Sequence, residues 1–320
     1  MNKFVKKGLS LVLATGLIAT SFAGCAKINY VTDGAIQAIH EIKDGSWLEA
    51  DADGETGSDE DVSVLEKPFE AGTYGGVDFQ SIEDVAKYYC EAYDKTKGQT
   101  REYIDSEGNT AVWYTMLGEE TLQVTDIMIE GKENSMINNL VPGIVGGLYS
   151  PGLNGLTPCA NRDPNLDVDT ANESLQTCRL TADDILDASV TDNGDGTITM
   201  VIQPKAVNMS EKGMDAQGHV FSSLGDIAGV VDSISVLSWA SGTTEENCIV
   251  NYKSGTVTCK IDTKSGLITE ADYHMLAYIS VNHATVTVIK DKSAALLVTY
   301  DVHFPASDDY MMKTKGCKVK

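Results

Sequence analysis

Residues 248–304 read Cys248-IVNYKSGTVTCKIDTKSGLITEADYHMLAYISVNHATVTVIKDKSAALLVTYDVH-Phe304, and this stretch decides the fold. In its last run Leu296, Val298, Tyr300, Val302 and Phe304 fall on one side, and Leu297, Thr299, Asp301 and His303 on the other. A period of two is the signature of a half-buried strand. Comparable runs at Ile249–Tyr252, Thr256–Asp262, Leu267–Ser280 and Ala284–Ile289 predict four more strands. Breaks at Lys253-Ser254-Gly255, Lys264-Ser265-Gly266, Val281–His283 and Lys290–Ser293 predict the turns. Connections this short join antiparallel neighbours, so the segment predicts a meander.

Working outward, the apolar face of such a sheet needs a cover. Ser81-Ile82-Glu83-Asp84 reads as a capped helix start, followed by an apolar face of Val85, Tyr88, Tyr89, Ala92 and Tyr93 that ends at Gly98. Ser135–Tyr149 and Val220–Val231 are further apolar segments, each interrupted by glycine, and Leu180–Leu186 reads as one helical turn. Short strands at Arg101–Ile104, Ala111–Leu117 and Thr121–Ile129 precede a hairpin of Ser189–Thr191 and Thr197–Gln203 around Asp192-Asn193-Gly194-Asp195-Gly196. The class is α+β: a broad, twisted antiparallel sheet with helices packed on one face.

The 320 residues divide into a leader, 1–24, a segment 25–66, and an α+β domain, 67–320, that carries a loop-rich insert at 150–179. Lys3, Lys6 and Lys7 precede the apolar run Leu9–Ile18 and the small residues Ala23 and Gly24, the build of a secretory signal peptide. Within 25–66 a short amphipathic helix carries Ile36, Ile39 and Ile42, and Glu49–Asp61 holds seven acids and no base, a solvated tether. The tether is not an EF-hand, because Thr56 stands where the turn glycine belongs and Val62 where the closing glutamate belongs. With 24 basic against 47 acidic residues the net charge is −23, which argues against a nucleic-acid partner. No stretch after the leader is long and apolar enough to predict a transmembrane helix.

Ser21-Phe22-Ala23-Gly24-Cys25 resembles the lipobox of bacterial lipoproteins, with Phe22 in place of the usual Leu, Val or Ile. The resemblance implies a diacylglyceryl group on the Cys25 thiol, cleavage before it, and a mature chain anchored on the extracytoplasmic face of the cell membrane. Anchoring by two acyl chains is stable where one is marginal. Gly72-Thr73-Tyr74-Gly75-Gly76, Asn138-Asn139-Leu140-Val141-Pro142, Asn161-Arg162-Asp163-Pro164-Asn165 and Phe304-Pro305 resemble an uncharacterised group of lipoproteins from clostridial gut bacteria. The order of elements is similar to half-barrel lipid-carrier lipoproteins.

Six cysteines remain, and an even number in an exported chain suggests disulfides, although six allow 15 pairings. A hairpin turning at Lys253-Ser254 would set Cys248 opposite Cys259, Cys159 and Cys178 flank the insert, and Cys90 with Cys317 is the remainder. Reduced, buried thiols are the alternative. Of the five histidines, His274, His283 and His303 lie on the meander, with His283 and His303 expected nearest one another. None has HxH or HExxH spacing, and no GxSxG, SxxK or P-loop is present, so the chain reads as non-enzymatic and without an organic cofactor. The metal candidate is the insert, where Asp163, Asn165, Asp167 and Asp169 alternate as in the ligand half of a calcium loop, although Val168 replaces the glycine.

Two functions fit. In one, sheet and helices enclose a small or hydrophobic ligand. In the other, the protein is a surface structural or adhesive protein, calcium-stabilised through the insert. Titrating EDTA-stripped protein calorimetrically checks the calcium site: ligation gives saturable heat, and a flat trace to millimolar Ca²⁺ leaves a solvated loop.

Overall fold

The computed structural model describes residues 62–130, 132–133, 178–211, 213–221, 227–286 and 289–320. In chain order they form β1 (Gly72–Tyr74), β2 (Val77–Phe79), α1 (Ile82–Thr96), β3 (Thr100–Asp105), β4 (Thr110–Tyr114), β5 (Glu119–Ile129) and β6 (Lys132–Glu133). A 3₁₀ turn (Ala182–Asp184) leads into β7 (Ile185–Asp192), β8 (Thr197–Pro204), β9 (Val207–Asn208), α2 (Ile227–Asp232), β10 (Leu237–Trp239) and α3 (Thr244–Asn247). The rest is β11 (Cys248–Tyr252), β12 (Thr256–Asp262), β13 (Leu267–Val286), β14 (Ile289–Phe304), α4 (Asp308–Lys315) and β15 (Cys317–Val319). The α+β class holds, with a ten-stranded antiparallel sheet and small sheets of two (β1-β2) and three strands (β15-β3-β4). The predicted helix within 26–48, the segment Ser135–Tyr149 and the candidate calcium ligands Asp163, Asn165, Asp167 and Asp169 lie outside the described residues.

The large sheet is built on the β13–β14 hairpin. β14 runs along one side of β13, from Ala271↔Phe304 to Val286↔Ile289. On the other side β12, β11 and β10 follow one another along a single lane, with Thr256↔His274, Tyr252↔Ala277 and Trp239↔Ala284. Lys253-Ser254-Gly255 is therefore a kink within that lane, with Ser254 at φ 62°, and not a hairpin turn. This corrects the Cys248–Cys259 pairing. The two cysteines face Val281 and Ala271 of the same neighbour, and eleven residues of extended chain hold them roughly 30 Å apart. A disulfide needs Cα atoms about 5.5 Å apart. Burial raises the Cys248 thiol to about 11.

The breaks predicted at Val281–His283 and Lys290–Ser293 are also not turns. They fall where the register between β13 and β14 shifts and where His283 (φ 52°) and Asp291 (φ 50°) take the left-handed conformation. A straight twenty-residue strand would be about 66 Å long, and bulges give it the bend and twist that keep it on the body. The turns at Asp192–Gly196 and Lys264-Ser265-Gly266 stand as read, with Asn193 N–H donating to Thr197 O at 3.1 Å and Gly266 N–H to Asp262 O at 2.7 Å. Leu180–Leu186 is a 3₁₀ turn running into β7, and the described helix within Val220–Val231 is only the short α2.

Helix α1 covers the inner face. Ser81 Oγ accepts from Asp84 N–H, and the Asp84 carboxylate accepts from Ser81 N–H at 3.0 Å and Gln80 N–H at 2.8 Å. The Gln80 N–H contributes most to holding that carboxyl below its ordinary range. Val85, Tyr89, Ala92, Tyr93 and Thr96 recur at helical spacing and are buried. They meet Tyr273, Met275, Ile198, Met200, Val302 and Phe304 in one core that also takes in Phe79, Tyr103 and Cys317 of the smaller sheets. Two polar contacts fix the docking: Tyr89 Oη lies 2.6 Å from Tyr273 Oη, and Thr96 Oγ1 accepts from Ile268 N–H at 2.9 Å. The opposite face of the sheet carries a second, smaller buried cluster of Met128, Leu276, Tyr278, Ala295 and Leu297.

At Gly255 the lane passes close to its neighbours, and a Cβ there would lie 2.8 Å from His274 O and 3.0 Å from the Phe221 ring. Gly255→Ala should lower stability by about 1–3 kcal/mol through overpacking against backbone. Gly98→Ala, which meets nothing within 4 Å, should stay within about 0.5 kcal/mol of the parent. Urea denaturation midpoints compare the two, and equal midpoints would contradict the close approach at the kink.

Candidate functional site: paired histidines and aspartates on the outer sheet face

Two three-residue phrases on neighbouring strands form the site. Asp272-Tyr273-His274 lies on β13 and Asp301-Val302-His303 on β14. Alternation sends Tyr273 and Val302 into the core and leaves both aspartates and both histidines on the outer face. The antiparallel register sets Asp272 opposite His303 and His274 opposite Asp301. Each phrase thus supplies the acid for the other's imidazole. His303 Nδ1 is 2.7 Å from Asp272 Oδ1, and His274 Nδ1 is 2.5 Å from Asp301 Oδ1.

The rows continue across the sheet. Thr258 and Glu119 flank the Asp272–His303 pair, and Thr256 and Thr121 flank His274–Asp301. The His303 imidazole is held above its ordinary value first by its hydrogen bond to Asp272, and then by the charges of Asp272, Glu270 and Glu119, against the opposing effect of burial. In each pair the carboxylate fixes Nδ1 as the donor, so Nε2 accepts when the ring is neutral and donates when it is charged. At His303 a change of protonation therefore reverses the sense of the hydrogen bond at Nε2 with no movement of the backbone.

The other two described histidines repeat the arrangement singly. His219 Nδ1 lies 3.0 Å from Asp184 Oδ2, and His283 Nδ1 lies 2.8 Å from Asp291 Oδ1 at the bulge in the long hairpin. The expectation that His283 and His303 would be nearest neighbours is thus corrected: the register puts His274 diagonal to His303 and leaves His283 towards the far end of β13. The legible signal was the repeated Asp-x-His phrase, which matters only once the register of the two strands is known. Among the described residues no three histidine, cysteine, aspartate or glutamate side chains gather closely enough to hold a metal ion.

The cysteines are also placed. Cys317 lies on β15 beside Trp113 of β4, whereas Cys90 on α1 contacts Cys178, so Cys90 and Cys317 are not brought together. Cys159 lies outside the described residues, and with it the Cys159–Cys178 pairing. Comparison with protein-family models, curated proteins and solved structures gives no significant match to this chain.

Because Asp272 raises the affinity of His303 for a proton, the pair stabilises the fold fully below the unfolded value of 6.5 and ceases to as pH rises through the higher folded value. Both side chains are more than a third exposed, at 35% and 38%, so solvent screening limits the effect to about 0.5 kcal/mol. Asp272→Asn should lower the urea midpoint at pH 6 and leave it nearly unchanged well above the folded value. NMR titration of His303 should give a midpoint above 6.5 in the parent and a lower one in the variant. Equal midpoints would remove Asp272 as the cause.

Proposed function

We propose that the protein is a lipoprotein held at the extracytoplasmic face of a membrane by a diacylglyceryl group on Cys25, and that its folded body is a non-enzymatic binding module acting through its surface. The Ala23-Gly24-Cys25 junction behind a basic and apolar leader supports the anchor. The observation that carries the surface reading is the filling of the space beneath the sheet. Phe79, Tyr89, Tyr93, Tyr252, Tyr300 and Phe304, each at most 1% exposed, occupy the inner side where an enclosed ligand would otherwise lie. Contact with a partner then falls to the outer face, where paired histidines and aspartates sit among threonines. The whole chain's net charge of −23 becomes −26 once the leader's Lys3, Lys6 and Lys7 are removed, which sets the body against anionic lipid, so the anchor and not the protein surface supplies membrane attachment.

Carriage of a small hydrophobic ligand is the competing mode of binding that experiment separates from the surface reading. Metabolic labelling with radioactive palmitate tests the anchor. The parent should be labelled and sediment with membranes, and Cys25→Ala should do neither; an unlabelled parent would overturn the lipoprotein reading. Native mass spectrometry of protein from its own host separates the two modes of binding. A bare protein mass is expected, and a reproducible lipid-sized adduct would replace the surface reading with the carrier.

A further inference from the structure

Cys90 and Cys178 come from distant parts of the chain and meet where helix α1 crosses the entry to the edge strand β7. The contact is held on both sides. Cys90 Sγ donates to Leu180 O at 3.3 Å, and one helical turn further on Asp94 Oδ1 accepts from the Cys178 N–H at 3.0 Å. Lys97 Nζ lies 2.5 Å from the same Asp94 oxygen, so the carboxylate that grips the Cys178 backbone is itself restrained. The two cysteine side chains lie in hydrogen-bond contact. Leu180 packs in the main core, which fixes the depth at which the segment docks on the helix.

We propose that Cys90 and Cys178 are a disulfide-forming pair that fastens helix α1 to the point where the chain enters β7. The pairing rests on the geometry above, and its use in the cell rests on the export reading, since disulfides persist outside the cytoplasm. The oxidant is a disulfide, either of a small thiol or of an oxidoreductase. One cysteine thiolate attacks it, forms a mixed disulfide and expels one thiolate; the second cysteine thiolate then displaces the other. One sulfur–sulfur bond forms and one breaks. Two electrons pass to the oxidant, and the two protons lost by the cysteines end on its two thiols. Cys90 is half-buried and Cys178 buried, so Cys90 is the one an outside oxidant reaches first.

Within the folded protein contact with Cys178, then burial, and then the charge of Asp94 hold the Cys90 thiol far above its ordinary value. A scarce thiolate makes oxidation of the native state slow, so the bond forms while the chain folds. Once formed, it shortens the unfolded chain's freedom across everything between residues 90 and 178.

The test uses the full chain in detergent, reduced in guanidinium and refolded in a buffer of oxidised and reduced glutathione. Peptide mapping without reduction should find Cys90 linked to Cys178, and thiol titration should count two fewer thiols than in the fully reduced chain. Cys90→Ser and Cys178→Ser should each abolish the link and lower the urea midpoint to that of the reduced parent. A link from Cys178 to Cys159, or two unlinked thiols at equilibrium, would overturn the pairing. Mapping the protein isolated from its host separates the two premises. Finding the link there supports both, whereas a link that forms in the redox buffer but is missing from the host protein supports the pairing and overturns export to an oxidising compartment.

Discussion

The double pairing of β13 is the constraint from which the rest of the fold follows. A twenty-residue strand inside a sheet has backbone donors and acceptors on both edges, and any left unpaired away from water would be costly. β14 satisfies one edge almost alone. The other edge is satisfied in pieces, by β12, β11 and β10 in turn, with a kink at Lys253–Gly255 that keeps them in one lane. The next lane outward copies the device, since β8 pairs with β12 and β9 with β11. A long central strand matched by short collinear segments lets the sheet bend between pieces while the ladder continues.

The packing of α1 follows from that bend. Helix α1 sits on the inner face because its buried Val85, Tyr89, Ala92 and Tyr93 join the apolar side of β13 and β14 in one core, and because polar groups fix its slide along them. Tyr89 against Tyr273 and Thr96 against the Ile268 N–H are buried hydrogen bonds in a low-dielectric setting, where a misplaced partner is penalised more than in water. Apolar burial drives the helix onto the sheet, and these two contacts select its register.

The same alternation that fills the core places a polar, titratable surface on the other side. Asp272, His274, Asp301 and His303 are neighbours because their intervening residues, Tyr273 and Val302, are core residues. The outer face runs from this charged end to the buried cluster around Leu276 and Leu297. The outward-facing array of paired imidazoles and carboxylates on an acidic chain is the feature on which the proposed surface-binding role rests.

Local periodicity made much of this legible. Alternation at Leu296–Phe304, the Ser81–Asp84 cap and the Asp192–Gly196 turn depend on residues close in sequence, so the chain alone determined them, together with the α+β class. Whether Lys253-Ser254-Gly255 reverses the chain or merely kinks it was not so determined. A Lys-Ser-Gly phrase suits either, and the choice is made by the ladder that β13 offers on its far side. The same non-local pairing separated Cys248 from Cys259, brought Cys90 to Cys178, set Asp272 beside His303, and turned two expected hairpin turns into bulges. Register and contact between remote segments are collective properties of the packed sheet, which is why only the tertiary structure decided them.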